Sequence, residues 1–282
     1  PISIFMKKVH VLFLLLSFLF MSCSGKKEII ISSSSSDINY SGRIDLSNDE
    51  VASLSWPGSS IKINFEGESI SALLSDETGD NYYNVIIDND SLFVLRPENK
   101  KQYYLLASNL SKGPHTVEIF RRTDWGSGLT NFYGFKININ AKVLAISLPK
   151  KRKIEFYGDS ITVGAAVEDT SGKDLNDTKY INNYATYSAI TARHFDANYH
   201  CIARSGIGVT VSWDPLIMPE IYDRLVPTDS TSKWDFSLYR PDIVVVNLFQ
   251  NDSWLVHLSD HPEFIKRFKN KTPSEAFLVN AY

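Results

Sequence analysis

The sequence predicts an antiparallel β-sandwich followed by an α/β domain. Three observations carry the prediction. Short alternating segments separated by turn residues fill positions 37–145. After Pro149-Lys150-Lys151 the pattern changes to β-branched and apolar runs divided by stretches of helical spacing. The chain has 282 residues, 43% hydrophobic and 22% charged, which is ordinary globular composition and enough for two cores.

Within the first part, Ile61-Lys62-Ile63-Asn64-Phe65 alternates apolar and polar, as a half-buried strand requires. Segments 70–74, 82–87, 103–106, 116–120 and 132–139 are also strand-like. Gly67, Gly79-Asp80, Asn89-Asp90, Lys112-Gly113-Pro114 and Gly126 punctuate them as turns. Many short strands at close spacing favour a sandwich. Beyond residue 150, segment 154–157 reads as a strand, 184–195 as a helix and 199–203 as a second strand. Residues 215–225 have helical character, and 243–248 is a β-branched run suited to a buried central parallel strand. Strand, helix, strand, helix, strand implies a sheet with crossover connections.

Thr272-Pro273-Ser274-Glu275 is a helix start, with a hydroxyl cap, proline at the first turn and glutamate three residues on. That helix has two turns before Tyr282 and no return strand, so the α/β domain at 150–282 is expected to lack its C-terminal part.

At the other end, Lys7 and Lys8 precede the apolar run 9–21, with Ser22-Cys23 next and Pro1 to Phe5 ahead of Met6. A basic start, a short apolar stretch and a small residue describe a secretory signal peptide over 1–23. The run is shorter than the roughly 20 apolar residues needed to span a bilayer. Phe20-Met21-Ser22-Cys23 resembles a bacterial lipobox, which implies lipidation of Cys23 and a place at the bacterial outer membrane or cell surface. The serine run 32–36 has the composition of a flexible tether, placed at 24–36.

Net charge is −3, so no basic surface for nucleic acid is implied. Aromatics are 12% of the chain and suit either a sandwich core or carbohydrate stacking. Cys23 and Cys201 are the two cysteines; no disulfide is expected, and Cys201 reads as a small buried hydrophobe in its strand. No cluster of ligating residues has metal-site spacing, and no metal or other cofactor is expected.

The candidate chemistry begins at Gly158-Asp159-Ser160. A serine just after a buried strand stands at the carboxyl edge of the sheet, where open α/β sheets bind ligands. It can act as nucleophile, or simply as a polar residue at a helix start. No G-x-S-x-G elbow is present. Arg204-Ser205-Gly206-Ile207-Gly208 and Gln250-Asn251-Asp252 close the next two strands. A glycine there lets a backbone N–H approach an anion, and an asparagine supplies a neutral donor. With the Ser160 amide, Gly206 and Asn251 would form a three-donor oxyanion hole, while Asp159 and Asp252 support the turns around it.

Gly158-Asp159-Ser160, Gly206 and Asn251 resemble the first three blocks of the SGNH (GDSL-type) hydrolases. Trp56-Pro57-Gly58-Ser59, Asn81-Tyr82-Tyr83, His115-Thr116-Val117 and Phe132-Tyr133-Gly134-Phe135 resemble the N-terminal module of carbohydrate esterase family 2. The resemblance implies a jelly-roll sandwich followed by a three-layer flavodoxin-like hydrolase domain. It implies Ser160 as the nucleophile for removing O-acetyl groups from plant polysaccharides such as xylan or glucomannan. Phe249 departs from the pattern, because glycine is usual there.

The family's last block is a histidine near the C-terminus. His257 and His261 follow the Asn251 loop without an intervening helix and strand, so the base is expected to be missing from these residues. His194 and His200 read as surface residues, and His115 belongs to the sandwich.

Two other functions remain open: a surface carbohydrate-binding lipoprotein without catalysis, and a lipase-like esterase on the same scaffold. Trp213 and Trp254 lean towards a sugar-facing cleft. The expected partners are an acetylated polysaccharide or oligosaccharide and a membrane reached through the lipid. No obligate protein partner is expected.

Overall fold

The structure is a computed structural model and describes residues 28–146, 150–175 and 177–282. The signal segment and Cys23 lie outside the described residues. The first half is built from twelve strands: β1 (Ile29–Ser32), β2 (Ile38–Ser41), β3 (Ile44–Asn48), β4 (Val51–Leu54), β5 (Ser60–Glu66), β6 (Ile70–Asp76), β7 (Tyr83–Ile87), β8 (Ser91–Leu95), β9 (Gln102–Ala107), β10 (Pro114–Arg121), β11 (Thr130–Ile137) and β12 (Lys142–Val143). They form two six-stranded sheets whose pairings are all antiparallel. One runs β3-β4-β11-β6-β9 with β1 added on β11, the other β12-β5-β10-β7-β8 with β2 added on β5.

Alternation explains why they pack. Ile61, Ile63 and Phe65 of β5 and Ile70, Ala72 and Leu74 of β6 point inward into one core that both sheets share. Phe132 and Phe135 meet edge to face in that core at 4.8 Å.

Residues 29–36 are not a free tether. Ile29–Ser32 pairs in register with β11, Ser33 is buried, and the Ser33 carbonyl accepts the Tyr40 hydroxyl at 2.7 Å. Serine composition alone suggests solvation; the preceding isoleucines override it by offering a strand to an open sheet edge.

The second half carries β13 (Arg152–Gly158), β14 (Ala197–Ala203) and β15 (Ile243–Asn247) in a parallel sheet ordered β14-β13-β15. Its helices are α1 (Ser160–Val163), α2 (Tyr187–His194), α3 (Met218–Ile221), α4 (Gln250–Leu255), α5 (Pro262–Phe268) and α6 (Glu275–Ala281). Among the described residues no helix is long and apolar enough to cross a membrane.

Four expectations change here. The β-branched run of β15 is not central: β13 lies between the other two strands, and Ile243, Val244 and Val246 are about half exposed. The helix expected at 215–225 shrinks to α3, because the carbonyls of Tyr222 and Arg224 are taken by the Arg43 guanidinium. The last helix is capped by Ser274, whose hydroxyl accepts the Phe277 N–H at 3.2 Å, and not by Thr272. His200 is buried on β14 and stacked on Tyr239 at 3.5 Å, whereas His194 is exposed. Cys201 is buried, and burial pushes its thiol up to about 12.

Two apolar clusters join the halves. Ile86 and Phe120 pack with Ile154, Phe156 and Tyr199, and Trp56 and Trp125 pack with Ile202, Ile207 and Met218. The fully buried Arg43 crosses the same boundary, donating at 3.0 Å to both Glu155 Oε1 and the Tyr157 hydroxyl.

Burial, with Arg43 and Lys153 adding positive charge nearby, drives the His200 imidazole down to about 3 from its ordinary 6.5. The folded chain therefore refuses a proton that the unfolded chain takes up. The His200 contribution is fully present above pH 6.5 and is lost as pH falls towards 3. Glu155 also faces this ring, 3.9 Å from Nδ1, and is held by Arg43. The thermal midpoint should fall below pH 6.5, with at most about 1.4 kcal/mol lost per pH unit from this one proton. His200→Phe, which keeps the stack on Tyr239, should flatten that slope. An unchanged acid slope in the variant would assign it to another group.

Candidate active site

The parallel register decides where the chemistry gathers. Gly158 pairs with Ala203 on one side and with Asn247 on the other, so β13, β14 and β15 end level with one another. The segments carrying Ser160, Gly206 and Asn251 therefore leave the sheet from a single carboxyl edge.

Ser160 is the first residue of α1 and is partly exposed. Asp159, not Ser160, is the cap, its Oδ1 accepting the Ile161 N–H at 3.0 Å. Gly158 is required by close approach: a Cβ there would fall onto Thr162 Oγ1 as the helix turns back over the strand end. Asn183 then donates to the Thr162 and Val163 carbonyls at 2.8 and 3.3 Å, which lets so short a helix end in a buried place. Among the described residues the Ser160 hydroxyl and amide have no hydrogen-bond partner.

Asp159 is buried and its Oδ2 is unpaired. Burial pushes its carboxyl above the usual range, the Ile161 N–H pulls it back, and the charge of Asp252 pushes it up again. The two carboxylates are thus electrostatic neighbours with different work. Asp252 is fully buried and accepts the N–H groups of Val209, Thr210 and Val211 at 2.8, 2.6 and 3.2 Å, plus the Thr210 hydroxyl at 2.6 Å. It fastens the loop that follows Gly206 to the start of α4.

Gly206 sits at φ +80°, the left-handed region, and its N–H has no partner among the described residues. Asn251 is buried and spans the gap to it: Nδ2 donates to the Ile207 carbonyl at 2.8 Å, and Oδ1 accepts the Trp213 indole N–H at 3.0 Å. One Asn251 amide proton remains without a partner among the described residues. The structure so links Gly206 with Asn251 through Ile207 and Trp213, and Asp159 with Asp252 through charge.

Phe249 occupies φ +84°, which explains why glycine suits that position. The Phe249 ring meets Tyr282 at 5.9 Å.

His261 stands at the head of α5. It caps α5, its Nδ1 accepting the Glu263 N–H at 3.3 Å, and its ring stands edge-on to Trp213 at 5.3 Å.

The β-half reaches this site by a route the sequence did not disclose. Arg121, fully buried, donates to the carbonyls of Thr123, Asp124 and Gly128, and Asn81 donates to those of Ser127 and Gly128. The turn they hold presents Asp124, whose Oδ2 accepts the Ser205 N–H at 3.1 Å next to Gly206. The Arg204 guanidinium lies over the Trp125 ring, 3.9 Å from its centroid, and pairs with Asp214. Two residues of the β-half, Asp124 and Trp125, so support the Gly206 turn.

Comparison with known proteins relates both halves of the chain to one family. Residues 40–146 match the family described as Carbohydrate esterase 2 N-terminal. The cellulase/esterase CelE of Acetivibrio thermocellus is 36% identical over 235 residues, covering 83% of this chain but 28% of that protein, so the chain spans under a third of that relative. An acetylxylan esterase / glucomannan deacetylase of Cellvibrio japonicus is 28% identical over 258 residues, covering 88% of this chain and 72% of that one. The family two carbohydrate esterase from Clostridium thermocellum, solved in complex with cellohexaose, superposes with a TM-score of 0.76 at 34% identity, covering 87% of this chain and 71% of its own. Similarity of this extent runs through both halves and the boundary between them, and the chain belongs to carbohydrate esterase family 2.

Proposed function

We propose that the chain is a serine ester hydrolase that removes O-acetyl groups from plant cell-wall polysaccharides. Ser160 Oγ attacks the acetyl carbonyl carbon while its proton passes to a histidine base. The oxyanion that forms is held by the amides of Ser160 and Gly206 and by Asn251 Nδ2. Collapse expels the sugar oxygen, which takes that proton, and leaves acetyl-Ser160. Water then attacks the acetyl group, releasing acetate and restoring the serine.

The observation that carries this reading is the level ending of three parallel strands, with the Gly206 N–H and the second Asn251 amide proton without a partner among the described residues. The deacetylase and esterase names of the relatives support the substrate class. The same proposal includes a jelly-roll arrangement of the two antiparallel sheets and a flavodoxin-like α/β half. It also includes secretion and lipidation at Cys23, which would keep the enzyme at the cell surface where polysaccharide is met.

Exposed aromatic surface fits a sugar better than an acyl chain: Trp213 and Trp254 are 43% and 61% exposed. Hydrolysis of 4-nitrophenyl esters of increasing chain length should be fastest for acetate, and acetate should be released from acetylated xylan or glucomannan. A preference for octanoate would favour a lipase-like enzyme. Polysaccharide affinity with no acetate release would favour a binding protein.

A further inference from the structure

We propose that Trp213 is a positioning residue that sets Asn251 and Gly206 as hydrogen-bond donors, by locking the carboxamide against rotation and the glycine peptide in place. The inference rests on the oxyanion-hole reading given above and deepens it.

The argument is one of donor and acceptor type. An indole N–H can only donate, and a backbone carbonyl can only accept. Trp213 Nε1 lies 3.0 Å from one terminus of the Asn251 side chain, and the Ile207 carbonyl oxygen lies 2.8 Å from the other. The terminus facing Trp213 must therefore be Oδ1, and the terminus facing Ile207 must be Nδ2. Rotating the amide by half a turn would set two donors against each other and two oxygens against each other. It would also turn a carbonyl oxygen, not an N–H, towards a developing negative charge.

Without the indole N–H only the Ile207 bond would oppose that rotation. The same residue controls the second donor. The Trp213 backbone N–H donates to the Gly206 carbonyl at 3.0 Å, and a Cβ on Gly206 would lie 3.3 to 3.4 Å from Trp213 Cβ and Cδ1. A single tryptophan thus fixes the peptide after one donor and the side chain of the other. Its ring is backed by the edge of His261 at 5.3 Å. Preorganised donors of this kind cost no reorientation when charge appears.

The test uses Trp213→Phe, which keeps an aromatic ring on Gly206 and removes the N–H. Expected for the whole protein, with its histidine base present, on 4-nitrophenyl acetate is a fall in kcat of about 10- to 100-fold with KM little changed, against about 100- to 1000-fold for Asn251→Ala. The double variant should be no slower than Asn251→Ala alone, because the indole acts through that side chain. In a 15N spectrum the Asn251 side-chain amide pair should shift in Trp213→Phe, while the rest of the spectrum reports an intact fold. Additive losses in the double variant, or an unmoved amide pair, would overturn the positioning role. Full activity in Asn251→Ala would instead overturn the oxyanion hole, and the amide shift would still show whether Trp213 holds the side chain.

Discussion

Replacing Ser160 by alanine in the whole protein, with its histidine base present, should lower kcat for acetyl-ester hydrolysis by about 10^4- to 10^6-fold, the range found when a serine nucleophile is removed from a working constellation. The change deletes one hydroxyl that makes no hydrogen bond among the described residues, at a partly exposed helix start. The Asp159 cap on Ile161 and the Asn183 bonds to the end of α1 involve other atoms. Thermal stability should therefore stay within about 0.5 kcal/mol of the parent, as for surface substitutions that break no special feature. KM should change little, because the hydroxyl enters the reaction and not the binding of the sugar. A stoichiometric organophosphate label on the parent, found on Ser160 by mass spectrometry and absent from the variant, gives a readout independent of turnover. Retention of more than a few per cent of activity would require a different nucleophile.

Replacing Arg43 by alanine should cost stability on a comparable scale of severity, about 3–5 kcal/mol. The guanidinium has no solvent exposure and distributes its donors over Glu155, the Tyr157 hydroxyl, and the carbonyls of Tyr222 at 2.5 Å and Arg224 at 3.1 Å. Its loss would leave a 3%-exposed carboxylate without its cation and two carbonyls without a donor. Lysine should not rescue it, since one ammonium cannot span this fork of acceptors. The informative control is Arg43→Met with Glu155→Met, which removes both charges and should recover most of the loss, as replacement of whole buried pairs commonly does. Denaturant titration reads the effect. An Arg43→Ala variant within about 1 kcal/mol of the parent would show that the pair contributes little to holding the two halves together.

The parts of the site that were legible before folding are those that local rules govern. Gly158-Asp159-Ser160 reads as a strand end followed by a turn that the aspartate orders, and in the structure Gly158 makes the close approach while Asp159, in place of the serine, caps the helix. Alternation in Ile61-Lys62-Ile63-Asn64-Phe65 predicts a half-buried strand, and β5 buries those isoleucines and that phenylalanine. The strands at 29–32, 38–41, 44–48, 51–54, 91–95 and 142–143 have no clear strand signal in the sequence. They are short, and serine, asparagine and aspartate in several of them give turn-like composition. What makes them strands is an available edge on a sheet already formed by others.

His200 shows the same limit from another side. Next to His194 and a turn it resembles a surface residue, yet the alternation of β14 turns it inward against Tyr239. Asp124, Trp125 and Trp213 carried no signal that would tie them to Gly206 and Asn251, since neither a carboxylate in a turn nor a tryptophan near a glycine is unusual.

By itself the sequence determined a β-rich first half, a strand-and-helix second half and the segments that leave the three parallel strands. Periodicity, capping and backbone freedom act over a few neighbouring residues, so they can be read from a string. Only the tertiary structure decided that the β-half helps to build the Gly206 turn, that Arg43 ties the halves together, and that Trp213 dictates which end of Asn251 faces the site. Those facts depend on donors and acceptors brought together across 38 to 181 positions of chain, and no local rule fixes which distant partner a buried polar group will find.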